Sequence, residues 1–543
     1  MSDLTKQIES VNICVADWIG ELCMSNQRKG FCILLFCIMV VTSCITPLCA
    51  YAQEDSAIDI TENANFTGSS YQDYGFLTDK NTGNYKKSAA NGTITIESAN
   101  DIGSIYLMFD LEYDSYQITD NETGTVVTAG ENSFLHEYVD LANIFGSDVN
   151  SITITFSSDP VSLSEIYVFS PGKAPSFVQQ WNAPLDGKAD MVLFSTHADD
   201  DQLFFAGLLP LYAGARNYAV QVVYLTDHRN LTNGRTHELL NGLWAVGVRA
   251  YPVWGTFADF RIDDLEKTYQ KYESYNVSRE DLLEFVVKQL RRFRPQVAIG
   301  HDINGEYGHG MHMVYTDLLI KALDISNDPE AFPDLTQQYG TWQVSKTYLH
   351  LYDKNPILLN YDTPLSEFNG MTAFQVSQKM GYPCHKSQQY TWFTRWINGN
   401  NGEITNASQI STYSPCQFGL YRSNVGDDVL KNDFMENIIS YAEQERIEEE
   451  KQLEEEKRKE EERLEQERQQ EEERRRQEEE QKRLEAEKAE QEALCQQEAL
   501  EKALMQQQQK ERRTLYAAIL LLIMSLAGLI LLPKMKYRKS SKK

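Results

Sequence analysis

Along the chain the spacing of apolar residues changes character, and each change predicts a different kind of structure. From residue 54 to about 172, apolar positions alternate with polar ones, as in Thr93-Ile94-Thr95-Ile96 and Ser151-Ile152-Thr153-Ile154-Thr155-Phe156. A period of two rich in β-branched residues is the pattern of half-buried strands. Turn residues such as Asn81-Thr82-Gly83 and Asn121-Glu122-Thr123-Gly124 separate the runs, so residues 54–172 predict an all-β sandwich. Past Ala189 the strand candidates become apolar runs: Met191–Phe194, Gln221–Leu225, Tyr251–Trp254 and Gln296–Gly300. Helical stretches lie between them. The clearest is Arg279–Phe293, entered through Ser278 with Asp281 three residues on, a capping-box pairing. This alternation predicts an α/β domain, a Rossmann-like parallel sheet with helices on both faces. Ligands of such sheets bind beyond the carboxyl ends of the strands.

Residues 443–513 are mostly Glu, Gln, Arg and Lys, with Ile447, Leu453, Leu464 and Leu484 thinly spread. That is too sparse for the a and d positions of a coiled coil, whereas Glu-to-Lys and Glu-to-Arg pairs four apart support an isolated helix. The segment predicts a long charged helix reaching roughly 105 Å as a stalk. Disorder is the alternative, and local coiled-coil dimerisation stays open around Cys495. Leu515–Leu532 is almost unbroken apolar sequence, followed by Lys534, Lys536, Arg538, Lys539, Lys542 and Lys543. Residues 514–533 therefore predict one transmembrane helix, and 534–543 a basic cytoplasmic tail. At the other end, residues 1–52 run from a polar leader ending in Arg28 and Lys29, through an apolar stretch from Phe31, to Ala50-Tyr51-Ala52. That layout is a signal peptide or, alternatively, an uncleaved N-terminal anchor. Together the ends predict a single-pass protein of the cell membrane with everything between them extracellular.

The formal net charge is −28, which argues against nucleic acid as a partner, since phosphate binding needs clustered Lys and Arg. Six of the nine cysteines precede residue 53, so the remainder does not rest on a disulfide framework. Pairing of Cys384 with Cys416 stays open.

Chemistry concentrates at two strand ends. The first α/β strand leads into Thr196-His197-Ala198-Asp199-Asp200-Asp201, and the fourth into His301-Asp302-Ile303-Asn304-Gly305-Glu306-Tyr307-Gly308-His309-Gly310-Met311-His312. Adjacent carboxylates are costly unless a cation offsets them. His, Asp and His on a concave face make a zinc-type site with open positions for water. Eight of the nine histidines fall between residues 197 and 385, which concentrates ligand capacity in this domain. Each feature alone has a plainer reading. A His-x-x-His pair is more often structural, the three aspartates suit a solvated loop or a calcium site, and Arg235 suits a surface position at a helix start. Farther on, Tyr390, Trp392, Phe393 and Trp396 surround Arg395 and read either as core packing or as faces that stack on sugars. The β-rich segment has no metal-type cluster and is expected to be dispensable for the chemistry.

These residues resemble a known family. His197-Ala198-Asp199-Asp200-Asp201 and Tyr307-Gly308-His309-Gly310-Met311-His312 are similar to His-Pro-Asp-Asp-Glu and Gly-Tyr-Gly-His-Pro-Asp-His of the PIG-L-type (LmbE-like) de-N-acetylases. These are zinc hydrolases that remove acetyl groups from amino sugars and their conjugates. The resemblance covers roughly residues 188–350 and implies a deacetylase domain at 186–440. By position it implies His197, Asp200 and His312 as ligands of Zn2+ or another divalent transition metal, and Asp199 as general base. It implies His309 as acid or oxyanion stabiliser, and Tyr307 as a further oxyanion donor. Arg235-Thr236-His237-Glu238-Leu239 followed by Ala245-Val246-Gly247-Val248 is similar to a stretch of the family in which an Arg is followed by a Glu-Leu and then by a Leu-Gly-Val, which makes Arg235 a candidate substrate contact. Met311 stands where the family has the Asp that supports the first histidine, so a lowered pKa and a weaker acid role are expected for His309.

The implied function is a cell-surface hydrolase of linear amide C–N bonds that deacetylates N-acetylglucosamine-type glycans or glycoconjugates. Its partners would be that substrate and, through the C-terminal helix, the membrane. The alternative is a weakly active or inactive glycan-binding protein on the same fold. Residues 54–172 resemble discoidin-like, galactose-binding-like modules, with sugar binder and spacer both open.

Overall fold

A computed structural model describes residues 56–227 and 234–531. The segments 1–52 and 534–543, on which the signal-peptide and cytoplasmic-tail expectations rest, lie outside these residues. The chain divides into two compact units, one running to Tyr441 and the other starting at Ala442.

In the first unit, nine strands form an antiparallel sandwich: β1 (Ala64–Gly68), β2 (Lys86–Lys87), β3 (Thr93–Ile102), β4 (Ser104–Phe109), β5 (Tyr116–Asp120), β6 (Val126–Ala129), β7 (His136–Asp140), β8 (Val149–Thr155) and β9 (Ser162–Phe169). One sheet has the order β1-β3-β8-β5-β6 and the other β2-β9-β4-β7. The alternating isoleucines explain the register: Ile94 pairs with Ile154 and Ile96 with Ile152, all four buried. A slip of one residue would turn this whole set toward water.

The second sheet contains β10 (Met191–Ser195), β11 (Val220–Thr226), β12 (Val253–Phe257), β13 (Val297–Gly300), β14 (Lys346–His350), β15 (Pro356–Leu358) and β16 (Gln417–Ser423). Its order is β12-β11-β10-β13-β14-β16-β15. Strands β10 to β14 are parallel, while β16 pairs antiparallel with β14 and β15 antiparallel with β16. The all-parallel expectation therefore fails at one edge, where the chain returns beside β14 in the opposite direction after the excursion that follows β15. The parallel order reverses between β10 and β13, and a crevice opens at such a switch point.

Five helices matter for the site: α1 (Arg235–Ala245), α2 (Leu265–Ser274), α3 (Arg279–Phe293), α4 (Gly310–Ile325) and α5 (Thr391–Asn398). The predicted capping box of α3 is present: Ser278 Oγ accepts from the Asp281 N–H at 3.1 Å, and Asp281 Oδ2 from the Ser278 N–H at 2.7 Å. Both faces of the sheet are covered. Val192 and Phe194 pack with residues of α2, α3 and α4, and Leu193 packs on the opposite face with Leu239 and Leu243 of α1. Cys384 and Cys416 are free thiols.

The sandwich is packed against the α/β layer. Phe134 and Tyr251 rings lie 4.7 Å apart, the Leu135 N–H donates to Tyr251 Oη at 3.0 Å, and His136 Nε2 lies 2.7 Å from His237 Nδ1. All five residues are buried. Removing the sandwich would uncover Tyr251 and the His237 face of α1.

The second unit is occupied by helix α6 (Tyr441–Leu531), which starts at the last residue of the first and contains 91 residues. It is lined with pairs such as Arg446–Glu450 at 2.9 Å and Lys459–Glu455 at 2.8 Å. One prediction is overturned here. Among the described residues no helix is long and apolar enough to cross a membrane. The transmembrane helix, the membrane as a partner and the extracellular cell-membrane location inferred from them are withdrawn.

Candidate metal centre and active site

The site occupies the switch point. From the end of β10 the chain turns through His197 to Asp201, and from the end of β13 it runs through Glu306 to His312 at the start of α4. Asp200 Oδ2 accepts the His197 backbone N–H at 2.8 Å, which fixes the first turn. In the second, Tyr307 takes the left-handed conformation (φ 47°). That is rare for an aromatic residue and a mark of a locally constrained site. Glu306 is fully buried, whereas Tyr307 lines the cavity.

Three donor atoms meet in a near-equilateral triangle. His197 Nδ1 is 3.1 Å from Asp200 Oδ2 and 3.1 Å from His312 Nε2, and the third side, His312 Nε2 to Asp200 Oδ2, is 3.2 Å. Ligands about 2.1 Å from one ion are separated by roughly 3.0–3.4 Å, so the spacing fits a zinc-type ion. Metal-type donors also group as His197–His309–His312 and as Asp200–His301–His312, each within 4.8 Å. Hydrogen bonding sorts them. His301 is engaged at both nitrogens, by the Thr196 N–H at 3.0 Å and by Glu306 at 2.8 Å. His309 Nδ1 accepts the Met311 N–H at 3.2 Å.

Each triangle imidazole has a carboxylate on its far nitrogen. Asp259 Oδ1 lies 3.1 Å from His197 Nε2, and Glu306 Oε2 lies 2.7 Å from His312 Nδ1. Carboxylates so placed fix the ring and raise its basicity. Glu306 also meets His350 Nδ1 at 2.6 Å, so one buried carboxylate gathers three imidazoles. Burial alone would lower the pKa of His197, but Asp259 and Asp200 outweigh it and hold it at about 10. The same contest at His312, with Asp200 and Glu306 opposing burial, leaves it at about 9. Burial works against the Asp200 charge, yet His312 and His197 hold its carboxyl well below the usual range.

The Asp199 carboxylate pairs with Arg235. Burial raises its pKa, opposed by the Arg235 guanidinium 3.4 Å away. His309 goes the other way: burial first, then the charges of His197 and His312, lower it to about 3. The position of the missing family carboxylate is filled by Met311, fully buried, whose sulfur accepts the Tyr272 hydroxyl at 3.4 Å.

A cavity of about 490 Å³ opens over this floor, with His197, Asp199, Asp200, Arg235, Tyr307 and His309 on its wall. Six of the seven predicted site residues line it, and the seventh, His312, lies beneath with no exposure. Sequence reasoning missed Asp259, just past β12, and Arg261, which line the same cavity. The rule that ligands gather beyond carboxyl strand ends pointed to that loop. It also missed Glu306, which lay inside the quoted motif.

Residues 192–323, within the α/β layer, match the family model for PIG-L, GlcNAc-PI de-N-acetylase. Among curated relatives, a 1D-myo-inositol 2-acetamido-2-deoxy-alpha-D-glucopyranoside deacetylase 1 of Frankia alni is 28% identical over 28% of this chain and 59% of its own. A deacetylase of the same description from Geodermatophilus obscurus is 30% identical over 22% of this chain and 42% of its own. The chain thus spans about half the length of these relatives. Among solved structures, an N,N'-diacetylchitobiose deacetylase from Pyrococcus horikoshii aligns with 43% of this chain and 84% of its own at 18% identity, with a TM-score of 0.29.

Proposed function

We propose that this site hydrolyses the acetamido group of N-acetylated amino sugars, releasing acetate and leaving a free amine. The observation that carries the reading is the triangle of His197, Asp200 and His312 donor atoms with a separate carboxylate, Asp199, beside it. Two imidazoles and one carboxylate form a donor set suited to zinc, and such an ion when bound supplies Lewis acidity and a water of lowered pKa.

The chain's own groups then divide the work. Asp199, whose basicity burial has raised, accepts the proton of the attacking water and returns it to the departing nitrogen. Arg235 keeps that carboxylate turned from the triangle and closes one side of the cavity. With Nδ1 accepting the Met311 N–H, neutral His309 carries its proton on Nε2 and donates a hydrogen bond to the acyl oxygen. This replaces the acid role with an oxyanion-stabilising one. Tyr307 Oη is the second donor.

The substrate class follows the relatives, whose names specify a 2-acetamido-2-deoxy-glucopyranoside. The test is to load the full chain with zinc, offer N-acetylglucosamine and its β-1,4-linked oligomers, and measure acetate and free amine. Equal release of both, abolished by a chelator and restored by zinc, supports the reading. No release from any acetamido sugar by zinc-loaded protein overturns it.

A further inference from the structure

The wall of the cavity changes character away from the metal-type donors. Helix α5 and the residues before it contribute Gln388, Tyr390, Trp392 and Phe393. The two readings left open for the aromatic cluster separate in space. Phe393 and Trp396 turn inward, with ring centroids 6.3 and 5.5 Å from that of buried Phe204. Tyr390 and Trp392 turn outward and keep 57% and 49% of their surface exposed. Large aromatic faces left open on a ligand cavity are binding surface rather than core.

Trp392 is also held in a set orientation. Its ring stands edge-on to Phe393 at 4.8 Å and 77°, and to Tyr307 at 5.9 Å and 63°. Tyr307 in turn is 5.4 Å from the His309 ring. The helix beneath is pinned: Trp396 Nε1 donates to the Thr412 carbonyl at 2.9 Å, and Gln378 Nε2 to the Ile397 carbonyl at 2.9 Å. A flat apolar face, fixed before binding and one ring beyond Tyr307, costs little conformational entropy to use. It lies outside residues 192–323, the segment shared with the family model.

We propose that Trp392, flanked by Tyr390, forms a subsite for a second pyranose. The residue being deacetylated sits over His197 and Asp199, and its linked neighbour lays the C–H face of its ring on the indole. Pyranose rings present axial C–H groups as an apolar face, and an indole combines a large apolar area with a polar edge that tolerates water. The substrate class this assigns is an oligomeric acetamido sugar rather than a single one. The inference rests on the proposed deacetylase reading.

The experiment uses the full zinc-loaded chain, its Trp392→Ala and Trp392→Phe variants, N-acetylglucosamine and its β-1,4-linked trimer. The first readout is the ratio of kcat/KM for trimer to that for the single sugar. Trp392→Ala should lower this ratio about 10- to 100-fold, the range for loss of an aromatic anchor, and Trp392→Phe should recover most of it. The second readout is calorimetric binding of trimer to Asp199→Asn with and without Trp392→Ala, which needs no turnover. Binding of the trimer that Trp392→Ala weakens, in a protein that never releases acetate, would leave the subsite standing and remove the deacetylase reading. Acetate release with an unchanged ratio, or trimer binding indifferent to Trp392→Ala, would overturn the subsite.

Discussion

His197 and His237 are both buried imidazoles paired with a second histidine in the same unit, but they lie in opposite electrostatic settings. In the pocket, His197 and His312 each face carboxylates, and the carboxylates raise both pKa values despite burial. In the contact between sandwich and α1, His237 faces His136, which meets the Tyr106 hydroxyl on its other nitrogen. There burial lowers His237 to about 4 and, with the charge of His237, holds His136 well below its ordinary value. Two histidines together thus say little about metal. What marks the pocket is the carboxylate on the far side of each ring, which readies the near nitrogen for a cation.

The largest effect that separates the two clusters is metal loss. Replacing His312 by Ala should empty the site and abolish acetate release together, whereas His237→Ala should leave zinc per chain unchanged. Full zinc content in His312→Ala would erase the distinction.

Next is acid lability, where the clusters have opposite signs. His136 and His237 have folded pKa values below the ordinary 6.5, so the unfolded chain takes up protons first. Their contribution to stability is present above about pH 6.5 and is lost as pH falls toward 4, about 3 kcal/mol from His237 alone. Urea melts at pH 7.5 and 4.5 should show a smaller loss in a His136→Phe, His237→Leu double variant than in the parent. In the metal-free pocket the raised values mean that protons compete with zinc, so zinc affinity should climb with pH up to about 9–10. Affinity that is flat between pH 6 and 8 would contradict this.

A smaller effect probes the carboxylates themselves. Glu306→Gln keeps the side chain's size but removes the charge behind His312, and should weaken zinc binding about 10- to 100-fold. Competition against a chromogenic chelator reads this directly, and an unchanged constant would deny Glu306 its positioning role.

Much of this was legible in the sequence where local pattern decides structure. The alternating isoleucines gave the sandwich strands, Ser278 and Asp281 the start of α3, and the two histidine-bearing segments fell at strand ends because apolar runs stopped just before them. What pattern does not encode is which distant residue arrives behind a side chain. Asp259 and Glu306 look like ordinary loop acids until β12 and the end of β13 bring them to the histidines. His136, the one histidine outside the 197–385 range, gave no sign of meeting α1, since that contact depends on how two layers pack. The antiparallel edge strands depend likewise on a return of the chain over long range. The expected membrane span has no counterpart among the described helices.

The most direct test measures zinc per chain and acetate release in Asp199→Asn and Asp200→Ala of the full-length protein, side by side. Asp200→Ala should lose metal and activity together. Asp199→Asn should hold near-normal zinc and lose rate by roughly 10²–10⁴, the usual contribution of a general base. An Asp199→Asn protein that binds no zinc, or that releases acetate at the parent rate, would contradict the separation of ligand from base on which the account rests.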